Sequence, residues 1–178
     1  MNEPYAEPRA TGGTATLPDA GTTTVVIGLG NPLLGDDGLG LAVLERLRDG
    51  WAFDAHVELV DGGTWGMSLL PTIEDAGRVL FLDAIDQGAA PGDFLRLEDG
   101  AIPRALALKL SPHQIDLREV LAVTALRGTT PRPMVAMGLQ PASLESETGG
   151  LTPALAERAV AVAAAAVDQL RAWGHRVV

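Results

Sequence analysis

The sequence contains no cysteine. This excludes disulfide bonds, thiolate metal ligands and a cysteine nucleophile, and it is most compatible with a reducing compartment such as the cytoplasm. Basic residues are also scarce, because 13 Lys and Arg stand against 23 Asp and Glu and give a formal net charge of −10. A field of that sign repels nucleic acids and anionic membrane surfaces, so we expect neither as a partner.

Long apolar runs are missing as well, and none approaches the roughly 20 residues that a membrane-spanning helix needs. Residues 1–20 contain Pro, Gly, Thr and charges of both signs, without the apolar core of a signal peptide. We therefore predict that residues 1–22 form a disordered N-terminal extension. Residues 23–178 are long enough for one domain with a hydrophobic core.

The most informative stretch follows the first predicted strand. An apolar, β-branched run ends at Gly28 and Gly30, and the adjacent acids Asp36 and Asp37 then precede an amphipathic helix. A dinucleotide-binding loop would need a third glycine where Leu33 stands, and it would not place two carboxylates beside a phosphate. The pattern indicates a strand, a tight loop and a helix that together hold a cation or a proton.

Strand and helix patterns alternate along the rest of the chain. This alternation predicts an α/β fold, a three-layer α/β/α arrangement whose twisted, mostly parallel sheet has about five strands. The strand at 93–97 follows a turn-rich segment, so we expect it to be antiparallel or at an edge. The other predicted strands are 25–27, 56–60, 78–82 and 134–139, and the predicted helices begin near residues 38, 66, 111 and 153.

Acidic residues follow the first three predicted strands. The carboxyl ends of parallel strands meet at one edge of a sheet, where ligands bind. A single aspartate there is commonly a helix cap or a turn residue, and Asp36 is a good candidate for an N-cap. Asp61 follows the second strand. Asp37 and Asp83 are stronger functional candidates, because two like charges at one cleft repel each other unless a cation or a proton lies between them.

His113 stands at the start of a predicted helix, after Ser-Pro. A lone histidine is usually structural, but the other two, His56 and His175, lie away from the carboxyl ends of the strands. Two carboxylates and one imidazole form a three-ligand site that suits a borderline divalent ion such as Ni²⁺ or Zn²⁺ and leaves coordination positions open. Carboxylates alone would suit Mg²⁺ or Ca²⁺ better.

Several separated motifs resemble those of the hydrogenase maturation endopeptidases, which finish the large subunit of nickel–iron hydrogenases. The resemblance covers the chain from about residue 23 to the C-terminal helix, with the motifs in family order. It implies a phosphorylase/hydrolase-like fold, with a twisted sheet between helices. The motifs are GLGNPLLGDDGLG (28–40), DGGT (61–64), LDAI (82–85), SPHQ (111–114) and GLTP (150–153).

The resemblance also implies an activity and its residues. Members of the family remove a short C-terminal extension from the large-subunit precursor after nickel insertion, and they carry an aspartic-type label. The positions that contact the metal and act in catalysis fall here on Asp37, Asp83 and His113. The first of these is often glutamate in the family, so either the shorter Asp37 approaches more closely or Asp36 shares its role.

The implied nickel belongs to the substrate, although other divalent transition metals could occupy the same site. Either the metal or a carboxylate acting as general base would activate the attacking water. The implied partner is the precursor of a nickel–iron hydrogenase large subunit, and we expect the protein to act as a monomer in the cytoplasm.

Two alternatives stay open at this point. A peptidyl-tRNA hydrolase shares the GLGNP run at 28–32, but the similarity ends there and a tRNA-binding protein would need a basic face. A non-catalytic chaperone could bind the nickel-loaded precursor through the same three residues and shield its tail. Binding of tRNA would indicate the first alternative, and an intact precursor C-terminus after incubation would indicate the second.

Overall fold

The computed structural model describes residues 22–64, 66–103, 117–144 and 149–178. Its sheet has five strands: β1 (Thr24–Leu29), β2 (Val57–Gly63), β3 (Arg78–Ala84), β4 (Phe94–Glu98) and β5 (Met134–Leu139). They lie in the order β2-β1-β3-β5-β4. All neighbouring strands are parallel except β4, which runs antiparallel to β5 at one edge, as the sequence predicts. Residues 1–21, most of the predicted N-terminal extension, lie outside the described residues.

Helices cover both faces of the sheet, which confirms the predicted three-layer α/β/α fold. One apolar cluster joins the first and the last helix to one face of the sheet, and a second cluster joins the two helices between them to the other face. No helix of the described part of the chain combines the length and the apolar character that crossing a membrane requires. The helices are α1 (Leu39–Gly50), α2 (Leu70–Asp75), α3 (Leu117–Arg127) and α4 (Pro153–Ala172).

Strand β3 lies at the centre of the sheet, and all its residues are buried. Its side chains alternate between the two clusters: Leu80 and Leu82 face α1 and α4, whereas Val79 and Phe81 face α2 and α3. A strand covered on both faces needs a continuous apolar run, and residues 79–82 form such a run. The strand continues beyond its predicted end, so that Asp83 lies within the strand and pairs with β5.

The helix predicted to begin near residue 66 is divided. A 3₁₀ turn (Gly66–Leu69) precedes the short α2, and Met67 and Leu70 are only partly buried. Pro71 lies in the first turn of α2. Because proline has no amide proton to donate, it cannot extend a helical hydrogen-bond ladder that begins earlier in the chain.

The predicted N-cap of α1 differs from expectation, and the N-cap of α4 is bonded in an unusual way. Asp36 does not cap α1, which begins after Gly38 and has no side-chain cap. Thr152 does stand at the N-cap of α4, with Pro153 in the first turn, but its side chain makes no hydrogen bond to its own helix. The two side chains are instead hydrogen-bonded to each other. The Thr152 hydroxyl donates to the Asp36 carboxylate.

The last described residues are fixed at the amino ends of the strands. Val177 forms an antiparallel bridge with Phe53. The buried His175 ring lies between Thr24 and Asp54, with Nε2 at 2.7 Å from Thr24 Oγ1 and Nδ1 at 3.2 Å from Asp54 Oδ2. His175 is therefore a structural residue that joins the C-terminal segment to the start of β1.

The Asp54 carboxylate should make stability depend on pH. Burial acts to raise its pKa, but the His56 and Arg176 amides and the His175 ring outweigh it and hold the pKa below the ordinary 3.8. Ionised Asp54 therefore stabilises the fold above the unfolded-state pKa, and this contribution is lost as the pH falls through the folded-state value. We expect the free energies of unfolding of the wild type and Asp54→Asn to converge between about pH 5 and pH 2, as measured by urea unfolding. A constant difference over that range would contradict this assignment.

Gly40 allows α1 to lie directly on the sheet. A Cβ atom there would lie 2.1 Å from the Leu82 carbonyl oxygen and 2.4 Å from that of Leu29. We expect Gly40→Ala to lower the free energy of unfolding by about 2 kcal/mol or more, because it forces the helix away from the strands. A Cβ atom on Gly50, at the end of the same helix, would meet no atom within 4 Å, so Gly50→Ala should stabilise by about 0.4–1 kcal/mol. Chemical unfolding of both variants tests the contrast, and equal effects would refute it.

Candidate active site at the carboxyl end of the sheet

The acidic candidates of β1 and β3 lie at one end of the sheet. The two strands are neighbours, and their register places Gly28 beside Leu82, one residue before Asp83. After β1 the chain folds back into a 3₁₀ turn (Gly35–Gly38) that carries Asp36 and Asp37 and contacts β3. The structure therefore brings the turn of Asp37 into contact with the strand of Asp83 at this end of the sheet.

Asp37 is half-buried, and its carboxylate is oriented by the chain that leaves β1. Its Oδ2 atom accepts a hydrogen bond from the backbone amide of Asn31 at 2.6 Å. The turn lies so close to Gly30 that a Cβ there would be 1.7 Å from the Asp37 carbonyl oxygen, and Gly30 has a φ of +112°. Only glycine fits both the contact and the conformation. Asp37 is thus held against the end of β1 while part of its side chain meets solvent.

Asp83 is only 2% exposed and lies beside Gly138 of β5. Because Leu82 and Ala84 belong to the cluster with α1 and α4, strand alternation directs the Asp83 side chain to the opposite face, which α2 and α3 cover. The close approach of β5 depends on Gly138, where a Cβ would lie 1.8 Å from the Asp83 carbonyl oxygen. The backbone of Asp83 is thus fixed by a tightly packed pair of central strands.

Asp36 has a different environment from Asp37. It is 0% exposed, and both its oxygens accept hydrogen bonds from remote segments. Oδ1 accepts from the Thr152 amide at 2.7 Å, and Oδ2 accepts from the Ala142 and Ser143 amides and the Thr152 hydroxyl at 2.9, 3.3 and 3.2 Å. These contacts favour Asp37, and not Asp36, as the carboxylate that a ligand can reach.

Gln140, directly after β5, fixes the loop that follows β3. Its side-chain oxygen accepts hydrogen bonds from the backbone amides of Gln87 and Ala89 at 2.8 and 3.1 Å. Its Nε2 donates a hydrogen bond to Asp86 Oδ1 at 2.8 Å. The Gln140 amide group, aided by the Gly88 amide, lowers the pKa of Asp86 against the small opposing effect of burial. The sequence does not reveal these roles of Asp36 and Gln140, because a polar residue after a strand is commonly a helix cap or a surface turn residue.

Asp61, the third predicted acidic position, is exposed and opens onto a cleft of about 260 Å³ beside the 3₁₀ turn. The cleft lies between the turn, the outer face of α1 and the segment before α4. Its lining includes Pro32, Gly35, Leu41, Glu45, Asp61 and Leu151.

The third predicted ligand, His113, lies outside the described residues. Within the described ranges, no three His, Asp or Glu side chains are grouped closely enough to hold a metal ion. His175 lies at the opposite end of the sheet, in the cluster with Thr24 and Asp54. The structure thus brings Asp37 and Asp83 to one end, and the convergence of His113 with them stays a prediction.

Comparison with known proteins identifies the family. A family model described as hydrogenase maturation protease matches residues 41–169. The chain belongs to the hydrogenase maturation protease family. Hydrogenase maturation proteases are peptidases, so the chain is a hydrolase of peptide bonds, and the predicted family resemblance is confirmed.

Individual relatives agree with this membership. Hydrogenase expression/formation protein HupD of Rhodobacter capsulatus is 40% identical over 154 residues, covering 86% of this chain and 73% of the relative. HoxM of Cupriavidus necator is 39% identical over 151 residues, covering 84% and 75%. The structure of the hydrogenase maturating endopeptidase HybD from E. coli superposes with a TM-score of 0.82 at 32% identity, over 88% of this chain and 96% of that one. These matches favour the peptidase over the peptidyl-tRNA hydrolase alternative.

The role of Gln140 can be tested through Asp86. In Gln140→Ala we expect the pKa of Asp86 to rise toward its ordinary value, because the largest cause of its lowering is removed. The amides of Gln87 and Ala89 should also exchange faster with solvent, since they lose their acceptor. NMR titration and amide exchange measure both effects, with Gln169→Ala on α4 as the control. An unchanged Asp86 pKa would show that Gln140 does not hold this loop.

Proposed function

We propose that this hydrogenase maturation protease removes a C-terminal extension from the nickel-loaded precursor of a nickel–iron hydrogenase large subunit. The observation that carries the proposal is the contact between the turn of Asp37 and the strand of Asp83 at the ligand-binding end of the sheet. Family membership supplies the reaction class, and the relatives' names refer to hydrogenase formation and maturation.

In this proposal Asp37, Asp83 and His113 contact the nickel that the precursor carries. Asp83 is directed to the face that α3 covers, and His113 stands just before Leu117, the first residue of α3, in the sequence. Two carboxylates and an imidazole suit a borderline divalent ion, and other divalent transition metals would bind the same set. The chain has no cysteine. Softer thiolate ligands for the nickel must therefore come from the precursor, and the nickel is cargo of the substrate.

The chemistry is hydrolysis of one peptide bond. The oxygen of water attacks the scissile carbonyl carbon, a base accepts the proton, the C–N bond breaks, and the amine leaves with a proton. In the aspartic-type route the base is the carboxylate of Asp37 or Asp83, and in the other route the nickel activates the water. Either way, nickel anchored by the protease positions the scissile bond beside the acids, and such positioning lowers the barrier substantially.

The proposal extends to the setting in which the protein works. A cysteine-free chain is compatible with a reducing compartment, and a net charge of −10 opposes binding to nucleic acids and anionic membranes. We propose that the protease acts as a monomer in the cytoplasm, with the large-subunit precursor as its partner.

Substitution of the three proposed ligands tests the function. Asp37→Asn, Asp83→Asn and His113→Ala should each lower cleavage of the nickel-loaded precursor by about 100-fold or more, because each removes a metal contact or a general base. Gel mobility and mass spectrometry of the precursor measure the cleavage, and circular dichroism checks the fold. Asp168→Asn, at a side chain that is 78% exposed on α4, is the control and should cleave like the wild type.

Two results would contradict the proposal. Normal processing by all three variants would show that the site residues are wrong. A precursor that binds the wild-type protein but keeps an intact C-terminus would indicate the non-catalytic chaperone instead.

A further inference from the structure

Asp36 connects the 3₁₀ turn to two segments more than a hundred positions away in the sequence. Its carboxylate accepts donors from Ala142, Ser143 and Thr152, and its own amide donates to the Ser143 carbonyl oxygen at 3.3 Å. A desolvated carboxylate is costly to bury unless it is fully hydrogen-bonded, and bonds to an ionised acceptor are roughly twice as strong as neutral ones. This arrangement therefore fixes the position of the turn strongly.

We propose that Asp36 is a positioning residue for Asp37, the neighbouring carboxylate that the proposed function assigns to the reaction. The inference rests on that proposed function for its consequence in catalysis. Asp36 does not contact the substrate in this proposal. It acts by holding the turn in the one orientation that points Asp37 toward the chain leaving β1.

The geometry of a 3₁₀ turn explains how the effect reaches Asp37. With three residues per turn, adjacent side chains project about 120° apart. When Asp36 points toward Ala142, Ser143 and Thr152, Asp37 must point elsewhere. The Oδ2 atom of Asp37 then meets the backbone amide of Asn31. The turn has little freedom on its other side, because a Cβ on Gly38 would lie 2.8 Å from the Pro32 Cα atom. Loss of the Asp36 contacts would let the turn rotate and would carry Asp37 with it.

A purely structural role for Asp36 would give a different result, and Asp54 provides the matched control. Asp54 also accepts two backbone amides, from His56 and Arg176, and contacts the His175 ring, but it lies at the opposite end of the sheet. Asp54→Asn should therefore lower stability without changing the environment of Asp37.

The experiment compares Asp36→Asn with Asp54→Asn. Asparagine keeps the shape of aspartate but turns an NH₂ group toward N–H donors. In Asp36→Asn we expect the kcat for nickel-loaded precursor to fall by about 10- to 100-fold while KM changes by less than about twofold, because a shift of about 1 Å in a reacting group has effects of this size. In the same variant the backbone amide of Asn31 should exchange with solvent at least about tenfold faster. In Asp54→Asn, both kcat and the exchange rate of the Asn31 amide should keep their wild-type values.

A second pair of variants covers the case in which Asp36→Asn does not fold. Thr152→Ser keeps the hydroxyl that donates to Asp36 and should retain the wild-type kcat, whereas Thr152→Val loses it and should lower kcat and speed Asn31 exchange.

The outcomes separate the two proposals. Wild-type kcat and Asn31 exchange in Asp36→Asn, or equal losses in the Asp36 and Asp54 variants, would overturn the positioning role. If the wild-type protein cleaves no precursor, the proposed function fails, and Asn31 exchange alone then decides whether Asp36 positions Asp37.

Discussion

The first turn of α1 lies in direct contact with the main chain of β1 and β3. Gly40 makes this possible, because a Cβ atom at this position would lie too close to the carbonyl oxygens of Leu29 and Leu82 for any side chain to fit. The 3₁₀ turn before α1 is thereby pressed against the ends of these strands, and Gly30 accommodates it in the same way. The turn that carries Asp37 meets the strand that carries Asp83 because the backbone approaches itself so closely here, and the buried contacts of Asp36 keep that approach in place.

Much of the fold could be predicted because its signals are local. The continuous apolar run of β3, the stripe of α1 and the long alanine-rich α4 each follow from a periodicity that burial imposes on neighbouring residues. The antiparallel edge strand lies within one residue of its predicted position. The strand order could not be predicted in the same way, because it depends on pairing between segments that are far apart in the chain.

In the candidate site, too, residues with a local signal could be predicted and residues with remote partners could not. Asp37 and Asp83 could be selected from their positions after strands and from the family resemblance, and the structure places both at the carboxyl end of the sheet. Asp36 was expected to cap α1, but its partners are 106 to 116 residues away, so no local pattern could reveal them. Gln140 is similar, since its side chain bonds to a loop more than 50 residues earlier. A buried polar residue whose partners are remote has the same sequence signature as a surface turn residue.

The cluster of Thr24, Asp54 and His175 has a practical consequence for the geometry of the whole molecule. It holds residues 175–178 at the amino ends of the strands, away from Asp37 and Asp83, and Val178 is exposed there. A fluorophore or an immobilising group attached at Val178 would project from the far side of the protein. The protease could then be studied while immobilised on a solid support, and a large precursor could still reach the carboxyl end of the sheet.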